Sequence, residues 1–324
     1  MRILVTGGAG YIGGTVAQLL LDHGHQVVIY DNLSHGHRSM VPAGTEFIAG
    51  ELADRPSLER VLHTDIDGVM HFAALIEAGE SMKKPEMYFR NNSASTLSLL
   101  EAMLATGVSR LVFSSTAAVY GEPESTPILE DAPLSPTNAY GESKLLVEQM
   151  LSWLNRVHDF RYASLRYFNV AGAIEGRGEA HEPESHLIPL ILDVALGRRQ
   201  SIKVFGQDYP THDGTCVRDY IHVHDLARAH LLALEALKQH SKLIYNIGNG
   251  VGFTVREVIE SARRVTGHPI PVEECPPRPG DPAVLIASAE KIGKELGWTP
   301  AYTKLDDIIA SAWTWHQQRY ERTA

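Results

Sequence analysis

Cysteine is almost absent from this sequence of 324 residues, which contains only Cys216 and Cys275. The two lie far apart and in no Cys-x-x-Cys motif, which excludes a disulfide framework and a cysteine-based zinc site. Histidine pairs such as His23 with His25 mimic metal-ligand spacing, but none belongs to a complete ligand set. We therefore expect a cytoplasmic protein without a metal site.

Positive charge and long apolar runs are also scarce. The 29 Lys and Arg residues against 39 Asp and Glu give a formal net charge of −10, which argues against a nucleic-acid partner because phosphates are bound mainly by Lys and Arg. No segment approaches the ~20 apolar residues of a membrane span, so no membrane partner is expected. Hydrophobic residues still make up 44% of the chain, which predicts a folded core.

Short apolar runs alternate with amphipathic stretches along the first half of the chain. The apolar runs are typical of strands buried on both faces of a parallel sheet, and they span residues 2–6, 26–30, 68–72, 110–114 and 164–168. The amphipathic stretches predict helices over residues 11–22, 85–105 and 139–156. This alternation predicts an α/β fold with a doubly wound parallel sheet of the Rossmann type.

The pattern becomes less regular after residue 168, where loops rich in Gly, Pro and His separate further helical stretches. We predict two parts from this change. Residues 1–168, joined by residues 211–246, form a nucleotide-binding domain. Residues 169–210 and 247–324 form a smaller, partly interleaved α/β lobe.

A glycine-rich turn connects the first predicted strand to the first predicted helix. Gly7 permits a tight turn, Gly10 lets backbone N–H groups approach a pyrophosphate, and Gly13 lets helix and strand pack closely. A flexible turn is the alternative, but the flanking strands and helix all favour a dinucleotide loop. Asp31 follows the second strand, where a carboxylate accepts ribose hydroxyls and repels a 2′-phosphate, so NAD is favoured over NADP. The alternative for Asp31 is a turn residue.

Tyr140 and Lys144 are four residues apart in a predicted helix and therefore share one helical face. A phenol with an ordinary pKa near ~10 is a poor base at neutral pH, and we expect the Lys144 ammonium to favour the phenolate. Thr116 follows the strand 110–114 at the edge where open α/β sheets bind ligands, and we expect it to hydrogen-bond a substrate hydroxyl and Tyr140. A surface Lys beside a packed Tyr, and a plain strand-end turn, are the structural alternatives.

The whole chain resembles the extended short-chain dehydrogenase/reductase family, and within it the branch that converts UDP-sugars. The motifs that carry the resemblance include TGGAGYIG at 6–13, DNLS at 31–34, HFAA at 71–74, FSSTAAVYG at 113–121, YGESK at 140–144, RYFNVAGA at 166–173, HLIP at 186–189, YPTHDGTCVRDYIHV at 209–223 and GDP at 280–282. The resemblance implies an isomerase with tightly bound NAD that interconverts UDP-glucose and UDP-galactose by inverting the sugar at C4 through a transient 4-keto form.

The resemblance also implies roles for individual residues. Tyr140 would be the base and then the acid, Thr116 its hydrogen-bonding partner, and Lys144 the electrostatic support. With the loop glycines and Asp31, the implied NAD contacts are Gly7, Gly10, Tyr11, Ile12, Gly13, Asp31, Asn32, Leu33, Ser34, His35, Gly36, Glu51, Leu52, Phe72, Ala73, Ala74, Asn91, Tyr140, Lys144 and Phe168. Most of the implied UDP-sugar contacts lie in the predicted smaller lobe, which is therefore expected to bind the substrate. These contacts are Thr116, Tyr140, Asn169, His186, Leu187, Lys203, Phe205, Arg218, Arg278, Asp281 and Leu285. Ordinary surface ion pairs are the alternative for Arg218 and Arg278.

Competing activities share this fold and its Tyr–Lys pair. In nucleotide-sugar 4,6-dehydratases an extra acid and base usually follow the strand-end hydroxyl, whereas Ala117 and Ala118 follow Thr116 here, which favours epimerisation. A decarboxylase, a net dehydrogenase that exchanges NAD, and a noncatalytic NAD-sensing scaffold remain as alternatives. The presence of both Tyr140 and Lys144 argues against the scaffold.

Two further expectations come from the family. A bulky residue at the position of Leu285 is associated there with exclusion of N-acetyl sugars, so a leucine predicts secondary activity on UDP-N-acetylhexosamines. Family members usually form homodimers through two helices of each subunit, here the stretches 85–105 and 139–156.

Overall fold

A seven-stranded parallel sheet is the largest element of the computed structural model, which describes residues 1–278 and 281–321. Gly280 of the GDP motif lies outside these described residues. The strands are β1 (Arg2–Thr6), β2 (Gln26–Asp31), β3 (Glu46–Ala49), β4 (Gly68–His71), β5 (Arg110–Thr116), β6 (Arg161–Tyr167), β7 (Asn169–Ala171), β8 (Ala173–Ile174), β9 (Arg177–Gly178), β10 (Ile202–Phe205), β11 (Val217–His222), β12 (Lys242–Ile247), β13 (Gly252–Thr254), β14 (Val272–Cys275) and β15 (Val284–Leu285). The helices are α1 (Tyr11–Asp22), α2 (Arg55–Leu62), α3 (Ala78–Ser81), α4 (Pro85–Tyr88), α5 (Ser95–Thr106), α6 (Ala139–His158), α7 (Leu187–Ala195), α8 (Val223–Ala236), α9 (Val255–Thr266), α10 (Glu290–Leu296) and α11 (Leu305–Glu321).

The sheet has the strand order β12-β6-β5-β4-β1-β2-β3, which confirms the predicted doubly wound α/β class. The order reverses between β1 and β4, so the loops that follow these two strands diverge and leave a crevice at the carboxyl edge. Two strands run further than predicted. Asp31 ends β2 and Thr116 ends β5, so both side chains are held by the sheet itself.

Alternating residues of the central strands are buried on opposite faces of the sheet. Ile3 and Val5 of β1 belong to a core shared with α1 and α8, whereas Leu4 belongs to a core shared with α2, α5 and α6. All three side chains have no exposed surface. Burial on both faces is the reason these strands have continuous apolar sequences rather than alternating ones.

A smaller set of strands and helices adjoins the carboxyl edge of the large sheet. Strand β11 pairs with β7, β13 and β15, and β10 pairs with β14. Their core is shared with α7, α9 and α11. Strand β12, from the segment 211–246 that the prediction assigned to the nucleotide-binding domain, lies in the large sheet beside β6. However, Ile292 of α10 and Trp298 also pack in the core of the large sheet, although the prediction assigned residues 247–324 to the smaller lobe.

The predicted helix over residues 85–105 is interrupted. It consists of α4, a π-helical segment from Phe89 to Ala94, and α5. Asn92 in the π segment uses its side chain to bind both backbone groups of Leu75, at 2.8 and 2.9 Å, and the Ser143 hydroxyl at 3.0 Å. The segment therefore ties the loop after β4 to α6.

A buried ion pair ties α6 to the sheet. Glu148 on α6 accepts hydrogen bonds from the Arg166 guanidinium at 2.6 and 2.9 Å and from the Ser115 hydroxyl at 2.6 Å. The charged side chains are only 3% and 5% exposed. This contact fixes α6, which carries Tyr140 and Lys144, against β5. None of the helices in the described residues is long and apolar enough to cross a bilayer.

Candidate active site

A cavity of about 1130 Å³ lies at the carboxyl edge of the large sheet, beside the smaller lobe. Every candidate cofactor or substrate residue named above lines this cavity, with the exception of Leu33. Leu33 adopts a left-handed conformation with φ of 58°, and its N–H donates to the Asp31 carboxylate at 2.8 Å. It therefore shapes the turn after β2. The structure brings the other residues together, and their contacts with ligands remain predictions.

The glycine-rich turn has the geometry of a dinucleotide loop. A Cβ on Gly7 would lie 2.5 Å from the backbone nitrogen of Ala73, and one on Gly13 would lie 2.3 Å from the Gly7 oxygen, so side chains are excluded at both positions. Among the described residues, no side chain caps the start of α1, and its first turn contains no acidic residue. The first N–H groups of α1, at Tyr11 and Ile12, thus remain available for an anion.

Asp31 and Glu51 are held in place at the other end of this loop. One Asp31 carboxylate oxygen accepts the N–H of Ala9 at 3.0 Å and the other accepts that of Leu33, which leaves lone pairs free for ribose hydroxyls. The Asn32 amide donates to both Glu51 oxygens at 3.0 and 3.1 Å. An uncapped helix start, excluded glycine side chains and an oriented carboxylate fit a dinucleotide such as NAD.

Tyr140 and Thr116 meet because α6 begins next to the end of β5. Asn138 caps α6 by accepting the N–H of Gly141 at 2.9 Å. A Cβ on Gly141 would lie 2.5 Å from the Ala118 oxygen, so glycine is required for this close approach. The Thr116 hydroxyl lies near enough to the Tyr140 phenol to lower the pKa of that phenol. One helical turn later, Nζ of Lys144 donates to the Ser114 carbonyl at 2.9 Å.

The pKa of Tyr140 is raised, whereas the sequence analysis expected Lys144 to lower it. Burial raises the pKa of Tyr140, the nearby Thr116 hydroxyl lowers it in part, and the charge of Glu77 raises it further. Burial also lowers the pKa of Lys144 to about 7, so this side chain is only partly charged at neutral pH. Desolvation is the largest cause of the shift for both groups, and it favours the neutral amine as well as the neutral phenol.

The other end of the cavity is rich in cationic and aromatic groups. Partial burial opposes the charge of His186, but its 2.8 Å hydrogen bond to Glu184 and nearby acidic charges raise its pKa to about 9. The Arg278 guanidinium lies 4.0 Å from the centre of the Phe205 ring. Two other candidate substrate-binding residues, Arg218 and Lys203, form ion pairs.

Arg218 is paired with Asp281, and Lys203 lies 3.7 Å from Glu273. The surface ion pair considered for Arg218 is thus present, but this residue lines the cavity and its side chain is only 13% exposed.

Several lining residues were missed by the sequence analysis. Glu77, Glu179, His181 and Cys216 all reach the cavity. Glu77 matters most, because the sequence disfavours a dehydratase only through the absence of a carboxylate directly after Thr116. A carboxylate instead arrives from the loop after β4, three residues beyond the HFAA motif. Within the described parts of the chain, no three His, Cys, Asp or Glu side chains are grouped to hold a metal ion.

Residues 3–248, more than half of the chain, match the NAD dependent epimerase/dehydratase family. The chain belongs to this family. It is 55% identical to a UDP-glucose 4-epimerase of Streptomyces lividans over 317 residues, which cover 97% of this chain and 96% of the relative. A crystal structure of a UDP-glucose 4-epimerase is similar with a TM-score of 0.97 and 48% identity, covering 99% of this chain and 98% of the other. The UDP-glucose 4-epimerase of Bifidobacterium longum in complex with NAD+ and UDP is similar with a TM-score of 0.94 and 39% identity, covering 99% of each chain.

Membership of the epimerase/dehydratase family confirms the resemblance found in the sequence and the expected cofactor, NAD. It also agrees with the loop geometry, in which the excluded glycine side chains and the Asp31 carboxylate suit a dinucleotide.

The pKa of Lys144 predicts how the stability of this epimerase/dehydratase family member depends on pH. Above pH 7 the folded protein loses the Lys144 proton, whereas the unfolded chain keeps it up to its ordinary pKa of 10.5. The unfolded state therefore binds more protons, and stability rises with pH in this window. Relative to Lys144→Met, we expect the wild type to gain about 1 kcal/mol per pH unit between pH 7.5 and 9.5. Urea unfolding of both proteins measures this difference, and an equal pH dependence would contradict the lowered pKa.

Proposed function

We propose that this protein is a UDP-glucose 4-epimerase, an isomerase that interconverts UDP-glucose and UDP-galactose through a transient 4-keto sugar. The observation that carries the proposal is the place of the Tyr140 and Thr116 hydroxyls. They lie in one cavity, which is also lined by the dinucleotide loop and by the cationic residues His186, Arg218 and Arg278. The full-length similarity to proteins named UDP-glucose 4-epimerase supports the same substrate.

The chain's own hydroxyls provide the path of the substrate proton. When bound, NAD supplies the acceptor and donor of the C4 hydride. The hydroxyls of Tyr140 and Thr116 are neighbours in the cavity, so a sugar hydroxyl placed against them can pass its proton to the phenolate and later recover it. Because burial raises the pKa of Tyr140, it needs a nearby positive charge to become a base. We propose that Lys144, one helical turn from Tyr140 and with a pKa of about 7, supplies that charge when it is protonated.

The substrate diphosphate is proposed to bind the cationic end of the cavity. His186 carries a proton at neutral pH, and guanidinium groups bind phosphate oxygens in a bidentate manner. A diphosphate that contacts Arg218 has to share it with Asp281, its partner in the structure. Phe205 offers an aromatic ring against which the uracil base of the substrate can pack.

The proposal places the enzyme in the cytoplasm, with the UDP-sugar as its small-molecule partner and no nucleic-acid or membrane partner. Both cysteines are free thiols, as is usual in a reducing compartment.

Turnover of UDP-galactose without added NAD tests the proposed reaction. The purified protein should form UDP-glucose without accumulating stoichiometric NADH. Tyr140→Phe should lower the rate roughly 10²- to 10⁴-fold because the general base is lost, while UDP binding measured by calorimetry should remain. Tyr245→Phe is a matched control, since its hydroxyl binds Glu295 away from the cavity. A dehydrated sugar product, net NADH formation or an active Tyr140→Phe would contradict the proposal.

A secondary activity on UDP-N-acetylhexosamines is part of the proposal. Leu285 lines the cavity from β15, next to Arg218 of β11. We expect the wild type to convert UDP-N-acetylglucosamine more slowly than UDP-glucose. Leu285→Tyr adds a ring to this wall, which should reduce the N-acetyl activity roughly 10-fold or more and spare most UDP-galactose turnover. Rates with both substrates measure this, and an equal loss of both activities would show that Leu285 is not the gate.

We also propose a homodimer that buries one face of α5 and α6. Trp153 and Val157 on α6 are 63% and 64% exposed, and Leu97 and Leu104 on α5 are 41% and 37% exposed. Exposed apolar residues that share one helix face, as Trp153 and Val157 do on α6, are typical of an interface. Trp153→Glu should shift the sedimentation coefficient to that of a monomer, whereas Leu129→Glu, at an exposed leucine outside these helices, should not. A wild-type monomer at micromolar concentration would refute the dimer.

A further inference from the structure

Residues 179–186 form a connection between the smaller lobe and the large sheet. On one side, the indole N–H of Trp315 in α11 donates to the Glu179 carbonyl at 2.9 Å. On the other side, the imidazole of His37 hydrogen-bonds to the Ala180 carbonyl at 3.0 Å, and the rings of His35 and His181 stack with 5.5 Å between their centres. We call residues 179–186 the bridging segment.

Glu77 makes the contact between the bridging segment and the loop after β4. Its carboxylate accepts the Ser185 hydroxyl at 2.7 Å. The same oxygen lies 3.8 Å from Nδ1 of His181, a buried atom that has no hydrogen-bond partner among the described residues. The Glu77 side chain precedes α3 without capping it within the described chain, so its carboxylate remains available for the segment.

The loop that carries Glu77 is itself firmly attached to the sheet. It follows β4, and Asn92 binds both backbone groups of Leu75, two residues before Glu77. A contact at Glu77 therefore restrains the bridging segment relative to the sheet rather than to a loose loop.

The bridging segment borders the cofactor end of the cavity. Ala180, His181 and Ser185 line the cavity together with residues 34–37 and 72–78, which follow β2 and β4 on either side of the β1 loop. A dinucleotide held by the β1 loop and Asp31 thus lies in a cavity that the segment helps to close. Opening the segment requires breaking the polar contacts described above.

We propose that Glu77 is a positioning residue that latches the bridging segment to the large sheet through Ser185 and thereby slows the release of NAD. The inference rests on the proposed function only in taking NAD as the bound cofactor. The inference is supported by the hydrogen bond between Glu77 and Ser185, which belong to different lobes. This bond has to break when the lobes separate at this point.

The rate of NAD release from the purified holoprotein tests the latch. The holoprotein is diluted into NAD-free buffer, and the NAD that remains bound is quantified over time after gel filtration. Glu77→Ala and Ser185→Ala should each release NAD about three- to tenfold faster, as expected for the loss of one hydrogen bond. The double variant should be no faster than either single variant, because both changes remove the same contact.

Two further variants separate the latch from a general loss of charge or fold. Glu77→Gln keeps an acceptor for the Ser185 hydroxyl and should release NAD within about twofold of the wild-type rate. Glu86→Ala removes an exposed carboxylate of α4 that lies outside the cavity lining, and should release NAD at the wild-type rate. All variants should share the wild-type melting temperature after NAD is removed.

The outcomes distinguish this inference from the proposed function. Unchanged release in Glu77→Ala, unchanged release in Ser185→Ala, or additive effects in the double variant would each overturn the latch. The same preparations are assayed with UDP-galactose in parallel. Faster release from variants of a protein that does not epimerise would support the latch and refute the proposed reaction. Normal epimerisation with unchanged release would support the proposed reaction and refute the latch. A purified protein that retains no NAD would overturn the latch.

Discussion

The buried ion pair between Glu148 and Arg166 is the contact on which the geometry of the site depends. Tyr140, Lys144 and Glu148 are spaced four residues apart along α6 and therefore share one face. Because Glu148 is bound to Arg166 of β6 and to Ser115 of β5, this face cannot rotate or slide relative to the sheet. Isolated buried charges are costly, but here the carboxylate accepts three hydrogen bonds and both partners are satisfied.

The same burial that positions the catalytic groups also determines their charge. Lys144 has the Ser114 carbonyl as an acceptor and the face of Phe113 at 5.0 Å, and its pKa falls to about 7. Tyr140 is enclosed as well, and burial raises its pKa. A neutral pair is the state that an apolar site favours.

Carboxylates from separate parts of the chain complete the cavity. Glu77 comes from the loop after β4 and Glu179 from the bridging segment, whose Glu184 lies outside the cavity lining beside His186. Glu184 keeps His186 protonated by accepting its hydrogen bond. These acidic groups thus favour a positive charge on His186, which the proposal assigns to the diphosphate, and Glu77 also raises the pKa of Tyr140.

The sequence by itself determined the fold class, the dinucleotide loop and the shared helical face of Tyr140 and Lys144. These features depend on local spacing: the period of a buried strand, glycines three residues apart, and one turn of a helix. Only the tertiary structure decided the direction of the Tyr140 pKa, the pairing of Arg218 with Asp281, and the arrival of Glu77 beside Ser185. Each of these depends on burial or on contacts between residues far apart in the chain, which no short pattern of residues encodes.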